Sequence, residues 1–142
     1  MDLSYIIIPI IVVITSQTLK LLTDGIKGNF DLKNMLLSYG GMPSAHTAFI
    51  VSITTLVGLR QGFDSAIFAL ALVFTLIVMR DAVGFRNILG RQAQVFNKVI
   101  EQLPEAEKKS LPRFREVMGH SLLEVSAGAI WGIFLTYFLS LL

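Results

Sequence analysis

The chain has 142 residues, 54% of them apolar, with a mean hydropathy of +0.68 and a formal net charge of only +2. That length allows one domain, residues 1–142, and the apolar excess excludes an ordinary soluble fold, so the bilayer is the expected solvent. With no cysteine, disulfide frameworks and thiolate-based zinc, iron–sulfur or redox chemistry are excluded as well.

The first apolar run covers residues 3–22, close to the roughly 20 residues that cross a bilayer. No Lys or Arg precedes Lys20 and no small-residue cleavage site is present, so the run reads as a retained span and not as a signal peptide. Lys20 closes it with Gln17 one turn earlier on the same face, serving either as a snorkelling anchor or as a contact to a phosphate.

A polar stretch with Lys27 and Lys33 leads into Gly40, Gly41, Met42, Pro43, Ser44, Ala45, His46 and Thr47, where a second span, 44–59, begins. Gly41 lets backbone approach a ligand, and Ser44 and the free N–H groups of the first helical turn can donate to phosphate oxygens. His46 adds a titratable proton. The same string also reads as a helix cap with an interfacial His.

A third apolar run, 63–79, follows after only Arg60, Gln61 and Gly62, which predicts an antiparallel helical hairpin of two short spans. The polar segment 80–120 opens with Arg80, Asp81, Ala82, Val83, Gly84, Phe85, Arg86 and Asn87, followed by Arg91, Gln92 and Asn97. Arg86, and after it Arg91, are candidates to clamp phosphate with a planar fork that Asp81 would orient, although arginines just outside a span also serve as topological anchors. Val95, Phe96, Val99, Ile100 and Leu103 recur with helical spacing before Pro104, which predicts an amphipathic helix at the membrane surface. A second is expected to begin at Ser110, with Pro112 in its first turn and Leu111, Phe114, Val117 and Met118 on its apolar face, and to end at Gly119.

The last span, 121–142, is entered through Gly119, His120, Ser121, Leu122, Leu123 and Glu124. On a helix, His120 and Glu124 would share a face, so the carboxylate could accept from one ring nitrogen and leave the other to attack or ligate; a purely structural pair is the alternative. An unpaired carboxylate there would cost on the order of 2–4 kcal/mol, so a partner is expected. Gly128 and Gly132 form a G-x-x-x-G pattern that suits close helix packing.

Four spans put both termini on one side. Eleven of the twelve basic residues, all but Arg60, then fall on the other side, which the positive-inside rule makes cytoplasmic, leaving both termini outside. Both histidines, the Asp81–Arg86 segment and Lys20 converge on that cytoplasmic face, beside two helix N-termini, a setting suited to a phosphate ester. The expected fold is therefore an all-α, multi-pass integral membrane bundle of about four spans with one or two amphipathic cytoplasmic helices, located in the cell membrane. No nucleic-acid motif is present.

Taken together, Gly41-Met-Pro-Ser-Ala-His46, Asp81-Ala-Val-Gly-Phe-Arg86, Gly90-Arg-Gln-Ala93 with Asn97, and Gly119-His120-x-x-x-Glu124-Val125 with Gly128 resemble the divergent branch of the type-2 phosphatidic acid phosphatase family, which is related to acid phosphatases and vanadium-dependent haloperoxidases. The resemblance spans nearly the whole chain. It implies that His120 is the nucleophile, Glu124 its orienting carboxylate, His46 the general acid and Ser44 a phosphate donor, with no metal or other cofactor. It implies a lipid phosphate as substrate, such as phosphatidylglycerophosphate, phosphatidate or a prenyl phosphate. Several positions depart from the better-studied relatives: Ala45 stands for Gly, Glu124 for Asp, and Phe114 for an Arg, while Lys20 is followed by Lys27 and Gly28 where Arg-Pro would be. The phosphate contacts are thereby reassigned to Lys20, Arg86 and Arg91, and a homodimer is expected to complete the smaller bundle. The alternative to an enzyme is a non-catalytic protein that binds anionic membrane lipids or acts as a scaffold.

Overall fold

The computed structural model describes residues 2–23, 41–116 and 119–142, which are helical apart from their connections. Lys27, Lys33, Gly40, Val117 and Met118 lie outside the described residues. Among the described residues six helices follow in order: α1 Ser4–Thr23, α2 Ala45–Gln61, α3 Ala66–Val83, α4 Phe85–Glu101, the single turn α5 Glu105–Lys108, and α6 Leu122–Ser140. Two stretches are long and apolar enough to cross a membrane, α6 and the run from Ala66 to Glu101, whose apolar half is α3; α1 holds a shorter apolar segment, Ser4–Lys20.

α2 lies at the centre. It packs against α6, α1 and α3, and α1 also meets α6. Ten of its 17 residues are buried, including polar Thr47, Ser52 and Thr54, so it is enclosed by protein and not by lipid. Its buried hydroxyls are paired across helices: Thr136 donates to Ser52 at 2.7 Å, and Thr54 and Thr75 share a bond of the same length. In lipid such bonds contribute about 0.6 kcal/mol each. Ile8, Val12, Ala48 and Leu56 form the apolar core, with Trp131 and Leu135 packed against it.

The hairpin between α2 and α3 has clear chemical causes. Gly62 ends α2 with φ +91°, a conformation most side chains avoid, and Ser65 caps α3 by accepting from Phe68 N–H. At the same end of the bundle Gln61 donates to the Tyr5 hydroxyl at 2.9 Å, so the start of α1 lies beside the end of α2. The other ends, bearing Lys20 and His46, therefore face the opposite way.

α3 runs four residues beyond the predicted 79 and passes through Gly84 into α4. α4 begins at Phe85, earlier than the apolar spacing around Val95 indicated, and buries Gly90, Ala93 and Asn97 while exposing Ile88, Val95, Phe96 and Val99. The second amphipathic helix, expected from Ser110, does not form: residues 111–116 are non-helical, and the turn α5 precedes them. The reason is Asn97, whose side chain donates to the Phe114 carbonyl at 2.8 Å and accepts from the Phe114 N–H at 2.9 Å. Both backbone groups that a helix would use are taken, and Pro112 supplies no N–H of its own.

Candidate functional site

The site grows from two helix starts that lock together. Ser44 caps α2 by accepting from Thr47 N–H, and Ser121 caps α6 in a reciprocal arrangement with Glu124. The Ser44 N–H donates to the Glu124 carbonyl at 3.0 Å, which ties one helix start to the other. Gly128 permits the approach, since a Cβ there would collide with the Ser44 carbonyl; at Gly132 a Cβ would sit 2.7 Å from the Ala48 carbonyl oxygen. The small-residue spacing thus serves close packing, and what it brings together is the site.

His120 lies one residue ahead of the α6 cap. Its Nδ1 is 2.7 Å from Glu124 Oε2, with the His side chain 7% and the Glu side chain 22% exposed. The pair was expected on one face of a helix; it forms instead across the cap turn, with Glu124 also 3.4 Å from the Ser121 N–H. One carboxylate thus completes the helix cap and holds the imidazole. The backbone of His120 is fixed as well: its N–H donates to the Ala82 carbonyl at 3.1 Å, and its carbonyl accepts from Asn87 Nδ2 at 3.0 Å. With Nδ1 engaged, Nε2 is the nitrogen left for chemistry.

His46, in the first turn of α2, is exposed, and its ring centroid lies 6.4 Å from that of His120 at an interplanar angle of 56°. The groups whose fields reach His46 are Arg86, His120 and Lys20. Lys20 of α1 and Arg86 of α4, far apart in sequence, thereby bring positive charge toward one imidazole. Asp81 holds Arg86 through its Nε at 2.9 Å, the arrangement expected of an orienting carboxylate.

The structure brings together His46, His120, Glu124, Lys20 and the Asp81–Arg86 pair. Arg91 is exposed on α4, turned roughly 140° around the helix from Arg86, five residues earlier. Ser44 is fully buried and its hydroxyl is the α2 cap, so in this arrangement it organises the helix start that carries His46. Gly41 has φ +91° just ahead of that cap, a conformation glycine takes readily. Phe114 packs its ring 5.6 Å from Phe96, and Arg113 pairs with Glu101 at 3.9 Å on the surface.

Two residues had no role assigned from sequence, Asn87 and Asn97. The first clamps His120; the second holds Phe114 and also donates to Glu116 at 2.8 Å. The available signal was a pair of asparagines, poor helix formers, inside a segment of helical spacing.

The profile described as the Divergent PAP2 family matches residues 1–135. The uncharacterized membrane protein YuiD of Bacillus subtilis (strain 168) is 37% identical over 118 residues, covering 75% of each chain. No solved structure matches. The extent of both matches leads to one assignment: the chain is a membrane protein that belongs to the divergent PAP2 family.

Proposed function

We propose that this protein hydrolyses a phosphate monoester or diphosphate carried on a membrane lipid, by way of a phosphohistidine. The observation that carries the reading is His120 tethered to Glu124 with His46 facing it at 6.4 Å. Such a mechanism asks for a nucleophile about 3–3.5 Å from the atom it attacks and an acid within about 3 Å of the oxygen it protonates, and two neighbouring imidazoles are groups that can supply both.

In this mechanism neutral His120 Nε2 attacks phosphorus, and Glu124 steadies the imidazolium character that develops at Nδ1. The bond from phosphorus to the lipid oxygen breaks, and protonated His46 gives that oxygen its proton. Water then attacks the phosphohistidine, neutral His46 takes a proton from it, and phosphate leaves as the phosphorus–nitrogen bond breaks. Lys20 and Arg86 hold the charge that builds on the phosphoryl oxygens.

The orientation belongs to the same proposal. α1, α2, α3 and α6 would cross the cell membrane with both termini outside and the histidines at the cytoplasmic head groups, where phosphatidylglycerophosphate, phosphatidate or a prenyl phosphate is met. A homodimer would complete the shelter of this small bundle. The second reading, a non-catalytic binder of anionic lipid, is favoured by the burial of Ser44 and by Phe114 standing where relatives carry Arg.

Phosphate release from a panel of lipid phosphates by the purified protein decides between them. Release that is blocked by vanadate and lost in His120→Ala and His46→Ala is the expected result. Binding of lipid phosphates without release by a folded wild type would establish the second reading.

A further inference from the structure

Between α1 and α2 runs a groove of about 350 Å³ whose apolar length no step of the mechanism uses. Ile10, Val13 and Ile14 of α1 and Phe49 of α2 make its apolar length, and Gln17 and His46 make a polar end among the described residues. We propose that it holds the aliphatic chain of a single-chain lipid phosphate, such as an alkyl or prenyl phosphate, whose phosphate then lies between His46 and His120. This rests on the phosphatase reading and narrows its substrate class.

Polarity, reach and size argue for that occupant. The groove is continuous with the site, because His46 belongs to both, and the fields of Lys20 and Arg86 act on that end. An amphiphile lying in it has its anionic head among cations and its chain against Ile14, Val13 and Ile10. From Gln17 back to Ile10 the helix rises about 10 Å, so the contact extends well beyond the carbons next to the phosphate. The volume is near the lower end of the roughly 300–1,000 Å³ of ligand sites. It suits one chain; the second chain of a diacyl lipid would be left outside, adding little to recognition.

The test uses the full-length protein in detergent with butyl phosphate, dodecyl phosphate and dioleoyl phosphatidate. Wild type is expected to prefer dodecyl over butyl phosphate in kcat/KM, and to prefer it over the diacyl lipid. Ile10→Trp, which fills the groove from an exposed position, should lower the dodecyl-to-butyl ratio by about tenfold, the effect of losing a methylene or two of pocket contact. Leu70→Trp, on the exposed face of α3, should leave the ratio where it was. A ratio unmoved by Ile10→Trp in an active protein overturns the groove while leaving the phosphatase reading intact.

If wild type hydrolyses none of the three, the phosphatase reading fails for lipid phosphate monoesters of this kind, and a dodecyl phosphonate with a mid-chain photoreactive diazirine decides the groove separately. Labelling of residues 10–17 or Phe49, competed by dodecyl phosphate, supports it. Labelling that is spread over α3 and α6, or that free dodecyl phosphate does not compete, overturns it.

Discussion

His120 is held at its ring by Glu124 and at its backbone by Ala82 and Asn87, so substitutions can release one restraint at a time. Glu124→Gln keeps a side chain that completes the α6 cap but removes the negative charge beside Nδ1. Phosphate release should fall by roughly 10²-fold or more, with the melting temperature nearly unchanged. Glu124→Ala should lose that activity and also lower thermal stability, by about 1 kcal/mol for the cap. Asn87→Ala lets the His120 carbonyl go without touching either imidazole. Its kcat should drop about tenfold, the effect of a nucleophile misplaced by a fraction of an ångström, while KM stays near wild type. A proportionate rise in KM instead would place Asn87 in substrate binding. Gly128→Ala drives a methyl into the Ser44 carbonyl, and separation of the two helix starts should cost about 1–3 kcal/mol in a thermal melt.

At the scale of elements, the segment after Pro104 shows where local pattern gives way to a distant side chain. Ser110, Pro112 and the apolar residues that follow have the chemistry of a helix start, yet Asn97, 17 residues from Phe114, takes the backbone groups that the helix would need. No local signal carries that information. Removing the clamp should expose it: Asn97→Ala should raise amide exchange across residues 111–116 with little change in α6. The destabilisation should be about 1–3 kcal/mol, as for other buried polar groups left without a partner. The apolar helices were legible for the opposite reason, since an apolar run of the right length has few alternatives in a bilayer. The histidine pair was legible as a constellation, whereas its geometry was not, because a four-residue spacing fits a cap turn as well as a helix face. Ser44 shows the same limit: a serine ahead of a helix suits a cap and a phosphate donor alike, and what the structure adds is the cap, with the hydroxyl buried.

For the whole molecule, packing relates the helices to one another, and charge must relate them to the membrane. The Gln61–Tyr5 bond marks one end of the bundle, with Arg60 and Asp64 nearby in sequence, while Lys20, His46, Arg86 and His120 mark the other. The proposed orientation, drawn from the positive-inside rule, puts the second end in the cytoplasm. Because the chain contains no cysteine, single introduced thiols report orientation without a background. Asp64→Cys, in the exposed α2–α3 turn, should react with a membrane-impermeant maleimide on intact cells. Lys109→Cys, exposed just after α5, should react only after the membrane is opened. The reverse pattern would put the histidines on the outer surface and change the substrates available to them. Labelling of both thiols on intact cells would point to a bundle inserted in two orientations.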